Sequence, residues 1–260
     1  MNRIDRTLQQ LQKKKEKALI CFVTAGDPNL ETTEQLIPAM FDAGADLIEL
    51  GVPFSDPVAE GPTIQKASQR ALDAGTTLPK IFELVQRVRK HTEKPILLML
   101  YLNSIYGFGK DRFFSLCSEC GVDGVIVPDM PFEERDEIQA QVDRTKIHSI
   151  SMVAPTSHER IAKIAAQATG FLYCVSSTGV TGTRSSFQTD FESFFQLIRA
   201  HAKVPCAVGF GISNPKQAGE MAKYCDGVIV GSAIVKLVER DGTKAVPAVS
   251  EFVRSLKQAL

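Results

Sequence analysis

Short apolar runs alternate with amphipathic stretches along nearly the whole chain. ALICFVT (18–24), LIEL (47–50), ILLMLY (96–101), the run at 123–127, ISMV (150–153), FLYCV (171–175), VPCAVGF (204–210) and GVIV (227–230) read as buried parallel strands. Between them apolar residues recur at helical spacing, predicting helices over 30–43, 64–74, 78–91, 111–120, 133–142, 158–168, 190–202, 214–223, 233–239 and 245–258. A further helix over 2–13 puts Ile4, Leu8 and Leu11 on one face and runs into the solvated run KKKEK. Eight strands, each followed by helix, predict an α/β chain folded as a (β/α)8 TIM barrel, one domain over 1–260. The N-terminal helix and a short helix after strand eight are extra to the barrel. GADLIELG, GVDGVIVPD and CDGVIVG form a faint internal repeat, each with an aspartate just before a buried strand.

A barrel of this kind carries its site where the strands end, which singles out DLIELGVPFSDPVAEGPTIQK at 46–66. Glu49 interrupts an apolar strand, and the loop from Gly51 to Pro62, with three prolines and two glycines, returns Asp56 and Glu60 towards it. A carboxylate inside such a run has either an ion-pairing partner or a task. The stiff, carboxylate-bearing loop points to catalysis, and an ion-paired core residue is the alternative.

Composition narrows the chemistry. Thirty basic and thirty acidic residues cancel in a chain of 260, which argues against a nucleic-acid partner. Apolar runs all fall short of the ~18 residues of a membrane span, and the N-terminus lacks the apolar core of a secretory signal. A cytoplasmic protein is expected. Cys21, Cys174 and Cys206 lie in apolar runs as small hydrophobes, and the lone CxxC at Cys117 and Cys120 has neither a second pair nor suitably spaced histidines. No lysine stands at a strand end for imine chemistry. His91, His148, His158 and His201 fall in helices or at a strand start, away from the carboxyl-terminal face, so no metal is expected. Asp27, Glu49, Asp56, Glu60, Tyr101, Asp129 and Tyr173 remain, and they favour proton transfer without a cofactor.

Glycines after strands six to eight, in STGVTG, GFGIS and VGSAIV, let backbone N–H groups approach an anion, and the helix after Gly231-Ser232 would aim its positive end there. Phosphate binding is the reading they share. The polar, glycine-hinged stretch 176–189 has the composition of a lid, or of a plain surface loop. Alternation and strand position aim Phe22, Leu98, Ile126, Met152, Tyr173 and Phe210 near one mouth, where they could line a flat aromatic pocket.

FVTAGDP (22–28), ELGVPFSDPVAEGPTIQ (49–65), VPDMPFEE (127–134), GVTG (179–182), GFGIS (209–213) and GSAIVK (231–236) resemble the tryptophan synthase alpha chain family over essentially the full length. The resemblance implies a lyase of tryptophan biosynthesis that cleaves indole-3-glycerol phosphate to indole and glyceraldehyde 3-phosphate. A pyridoxal-phosphate beta chain would be its partner, in an alpha2beta2 heterotetramer. It casts Glu49 as general acid/base, Glu60 as the carboxylate that accepts the indole N–H, and Thr181 as the lid residue orienting that carboxylate. Phe22, Tyr173 and Phe210 match indole-pocket positions. Gly182, Gly211, Gly231 and Ser232 match the phosphate site, and Asp56 the face that meets the beta chain. The family usually has aspartate where this chain has Glu60. Another phosphate-binding barrel isomerase or epimerase, and a poorly catalytic regulatory subunit of the beta chain, are the alternatives.

Overall fold

The computed structural model describes residues 1–155, 158–175, 191–209 and 211–260. Among these residues nine parallel strand segments form one sheet: β1 (Ala18–Thr24), β2 (Leu47–Gly51), β3 (Ile96–Met99), β4 (Gly124–Ile126), β5 (His148–Ser149), β6 (Ser151–Val153), β7 (Leu172–Val175), β8 (Cys206–Gly209) and β9 (Gly227–Val230). Their order is β5-β4-β3-β2-β1-β9-β8-β7-β6. The two outermost segments are consecutive stretches of chain separated only by Ile150, whose N–H donates to the Val125 carbonyl (2.9 Å). They are halves of one strand, so the sheet closes on itself as a (β/α)8 barrel.

The helices are α1 (Arg3–Lys14), α2 (Leu30–Asp42), α3 (Pro62–Asp73), α4 (Leu78–Arg89), α5 (Leu102–Phe108), α6 (Lys110–Cys120), α7 (Asp136–Thr145), α8 (His158–Gln167), α9 (Phe191–His201), α10 (Pro215–Met221), α11 (Ser232–Asp241) and α12 (Val246–Gln258). The sequence pattern misses α5, a short helix with one buried residue, Ile105, and extends β3 into Tyr101, which instead caps α5. Cys117 and Cys120 of α6 pack in the outer core, as small apolar side chains do. His158 opens α8 and so stands on the carboxyl-terminal side, contrary to the expectation for all four histidines.

Strand parity divides the apolar residues into two layers. Leu19, Cys21, Val23, Ile48, Leu50, Leu98 and Val125 face the helices, while Ile20, Leu47, Leu97, Ile126, Tyr173 and Ile229 fill the barrel. Ile4, Leu8 and Leu11 of α1 join the interior set and close the amino-terminal mouth. The Asn2 side chain caps α1, accepting from the Ile4 N–H (2.9 Å) in a capping box with Asp5.

The repeated aspartates act at this same end. Leu19 N–H donates to Asp46 Oδ2 (2.8 Å), Ile96 N–H to Asp123 Oδ2 (2.9 Å) and Cys206 N–H to Asp226 Oδ2 (2.9 Å). Each aspartate returns its own N–H to the carbonyl of the same residue, at 2.8, 2.9 and 2.8 Å. Three neighbouring strand pairs therefore start with one reciprocal two-bond clasp, which sets their register. Lys257 balances Asp46, and Arg3 and Arg89 balance Asp123.

At the opposite end a buried ion pair ties three elements. Arg70 of α3 grips Asp27 with two bonds (2.7 and 2.8 Å) and reaches Glu239 of α11 (3.4 Å). The Asp27 side chain is only 2% exposed, so removing its partner leaves a buried charge uncompensated. Arg70→Met is expected to lower stability by about 3 kcal/mol, the low end of the usual ~3–5 kcal/mol because the guanidinium edge is solvated. Chemical denaturation checks this, and a loss below about 1 kcal/mol would show that the pair holds nothing in place.

Candidate active site

β2 alternates Ile48 and Leu50 outwards with Leu47 and Glu49 inwards, which puts a carboxylic acid inside the barrel. In register Glu49 lies beside Phe22 on β1 and Leu97 on β3. It is 0% exposed, and among the described residues neither carboxyl oxygen has a hydrogen-bond partner. Among the described residues only Thr24 and Thr76 also have buried side-chain polar atoms without partners, both uncharged hydroxyls. Burial alone pushes the Glu49 carboxyl from 4.5 up to about 8, so it holds its proton at neutral pH.

Above the interior layer a small cavity opens at the carboxyl ends of the strands. Phe22, Met99, Tyr173 and Ile229 wall it from the strands, Ile64 from α3 and Ile212 from the loop after β8. Glu60 brings a carboxylate to one side, and Gly211, Gly231 and Ser232 line another. Ser232 is the first residue of α11, so that helix directs its N-terminal end at the cavity. The cavity measures about 50 Å³, well below the ~300–1,000 Å³ of ordinary ligand sites, so a substrate must enlarge it to reach Glu49.

Two aromatic walls lie flat on glycines. A Cβ on Gly51 would come within 2.5 Å of the Phe22 ring, and one on Gly209 within 2.6 Å of the Tyr173 hydroxyl. The absence of a side chain at Gly209 leaves room for that ring. Gly231 also lies under Phe22, where a Cβ would meet the Phe22 Cβ at 3.3 Å.

Glu60 is held from α5. The Tyr101 hydroxyl donates to Glu60 Oε2 (2.5 Å) and accepts from the Ala59 N–H (3.0 Å). Its ring stacks on Phe54, with centroids 5.0 Å apart. Burial raises the Glu60 carboxyl, Tyr101 opposes that rise and nearby Asp129 adds to it.

The remaining expected residues scatter. Leu98 does not line the cavity. One step out of phase with Leu97, it faces the helical layer, and Met99 takes the wall position. Ile126 belongs to the buried interior layer. Met152 packs against that layer and lines a separate cavity of about 420 Å³ between the 127–135 segment and α8. Asp56 is exposed on the loop, bonded to the Ser55 hydroxyl (2.5 Å). Thr181, Gly182, Phe210 and the expected lid over 176–189 lie outside the described residues. Sequence reasoning missed Met99, Ile64 and the Tyr101–Glu60 contact.

The profile of the family described as tryptophan synthase alpha chain matches residues 8–260. This chain belongs to that family. It is 47% identical over 258 residues to the tryptophan synthase alpha chain of Alkaliphilus metalliredigens (strain QYMF), covering 98% of this chain and 97% of the relative. Identity to the alpha chain of Geotalea daltonii is 52% over 262 residues, covering 100% and 99% of the two. The fold matches the alpha subunit from Legionella pneumophila str. Paris with a TM-score of 0.89 at 37% identity, covering 100% of this chain and 98% of that one. A chain of the tryptophan synthase complex from Pyrococcus furiosus matches with a TM-score of 0.85 at 34% identity, covering 93% and 98%. Among the described residues no group of three or more His, Cys, Asp or Glu could hold a metal, and no helix is long and apolar enough to cross a membrane.

In this tryptophan synthase alpha chain fold, the buried Glu49 carries a pH signature. The folded chain keeps a proton that the unfolded chain releases above the ordinary value of 4.5. Stability from the neutral acid is thus complete below 4.5 and is lost as pH rises through about 8. Glu49→Gln cannot ionise, and is expected to gain about 2–4 kcal/mol on the parent between mildly acidic and mildly alkaline solution. Denaturation curves at the two ends of that range check this. A constant difference between the proteins would mean that Glu49 ionises normally.

Proposed function

We propose that Glu49 is the general acid/base, and Glu60 the second carboxylate, for retro-aldol cleavage of indole-3-glycerol phosphate to indole and glyceraldehyde 3-phosphate, the lyase step of tryptophan biosynthesis. The observation that carries this reading is a fully buried carboxyl without a partner among the described residues, turned into the barrel beside Phe22, which walls a cavity edged by a helix N-terminus.

Neutral Glu49 gives its proton to the indole ring carbon that bears the glycerol chain. The ring becomes cationic, and Glu60 accepts its N–H and steadies the charge. The carbon–carbon bond then breaks and its electron pair restores the aromatic ring. Glu49, now a carboxylate, takes the proton from the adjacent glycerol hydroxyl as the aldehyde C=O forms, and ends neutral as it began. Phe22, Met99 and Tyr173 supply apolar walls for a flat ring. Gly211, Gly231, Ser232 and the start of α11 suit the phosphate; by family resemblance Gly182 joins them, Thr181 orients Glu60 and Phe210 belongs to the indole pocket.

The partner is a tryptophan synthase beta chain, and we propose an alpha2beta2 assembly with Asp56 on its docking face. The exposed Val58 on the same loop, 74% accessible, supports that placement. All six cysteines are free thiols, which supports a reducing, cytoplasmic setting for a chain working as one domain.

Glu49→Gln is expected to bind inorganic phosphate like the parent while losing about 10²–10⁴-fold in turnover. Steady-state indole release with and without a beta chain measures this. Near-parental turnover would remove Glu49 from the mechanism.

A further inference from the structure

Glu60 needs a restraint that a shorter side chain would not. A glutamate has one more rotor than an aspartate, and errors near 1 Å at a reacting centre are costly. The restraint comes from a residue that no part of the mechanism above uses. We propose that Tyr101 is a positioning residue for Glu60: its hydroxyl, oriented by the Ala59 amide, aims the Glu60 carboxylate at the cavity and reserves it as an acceptor. This rests on the reading of Glu60 as the second carboxylate.

The hydroxyl has a single proton. Its oxygen already accepts from the Ala59 N–H (3.0 Å), which leaves the proton for Glu60 Oε2. A phenol O–H bonds an ionised carboxylate more strongly than a neutral carboxyl, so the contact favours the ionised form. The phenol itself stays protonated, since burial and the bond to Glu60 both raise it. Tyr101 is 3% exposed and stacks on Phe54 at 5.0 Å. Its backbone is anchored where the Leu102 N–H donates to Asp129 Oδ1 (2.9 Å). The Glu60 backbone is anchored by Gln65, whose Nε2 donates to its carbonyl (2.8 Å). Both ends of the contact are thus fixed before substrate arrives.

Besides Tyr101, the ionisable groups near Glu60 are Asp129 after β4 and Tyr173 on β7, which lines the same cavity. Burial and Asp129 both favour the protonated carboxyl, and Tyr101 is the side chain that opposes them. Without its hydroxyl, Glu60 would take up a proton at higher pH and lose its aim.

Tyr101→Phe keeps the ring and its stacking on Phe54 but deletes the hydroxyl. With indole-3-glycerol phosphate, kcat is expected to fall roughly 10–100-fold, the usual scale for a hydrogen bond to a charged group. KM and the thermal midpoint should change little. The acid limb of the kcat–pH profile should move to higher pH, so that activity partly recovers as pH is raised. The double variant with Glu60→Ala should be no slower than Glu60→Ala alone. A Tyr101→Phe profile scaled equally at every pH, or unchanged, overturns the proposal. Glu60→Ala serves as the separate control: if it turns over like the parent, the assignment of Glu60 itself fails, whatever Tyr101 does.

Discussion

A carboxylic acid buried without a partner is the constraint on which the site depends. Water would stabilise the ionised Glu49 strongly, and among the described residues no hydrogen-bond partner takes its place. The group responds by keeping its proton. That cost to folding is met by the surrounding apolar layers, and the return is an acid of neutral form poised beside the reacting ring. An ion pair at the same place would have been more comfortable and useless, because a paired carboxylate cannot donate. The site's second carboxyl has the opposite surroundings, with a phenol donating to it and an amide behind the phenol. Burial raises both carboxyls, and at Glu60 the bond from Tyr101 opposes that rise, so two glutamates from one strand and its loop meet different surroundings.

The rest of the barrel fixes where these groups stand. Clasps from Asp46, Asp123 and Asp226 set strand register at the closed end, and a slip of one residue would turn Glu49 into the helical layer. α1 plugs that end with Ile4, Leu8 and Leu11, leaving the carboxyl ends as the open face. Gly51 and Gly209 let Phe22 and Tyr173 lie against the neighbouring strands. The Asp27–Arg70–Glu239 chain ties the turn after β1 to α3 and α11, the two helices preceded by the carboxylate and by the glycine-lined side of the cavity.

Much of this is legible in the sequence. Alternating strands and helices gave the barrel because each parallel strand is a continuous apolar run, and Glu49 stood out because it broke one. The same continuity hid strand parity elsewhere. Within ILLM nothing distinguishes Leu98 from Met99, so the outward residue was taken for the inward one. The aspartate repeat was visible, but its role as a clasp on the neighbouring strand is a through-space fact. The sequence shows the missing side chain at Gly209 and not the Tyr173 ring that fills its place, which is again a through-space fact. Helix α5 escaped because a seven-residue segment with one buried side chain has no measurable period. Tyr101 was visible as a strand-end phenol, yet its bond to Glu60 spans 41 residues of sequence.

The central claim is that the barrel holds Glu49 neutral at physiological pH. A carbon-13 NMR titration of the side-chain carboxyls, with Glu49→Gln used to assign the resonance, measures this directly in the folded chain. The account predicts a midpoint near 8 for Glu49, and a midpoint near the ordinary 4.5 would contradict it.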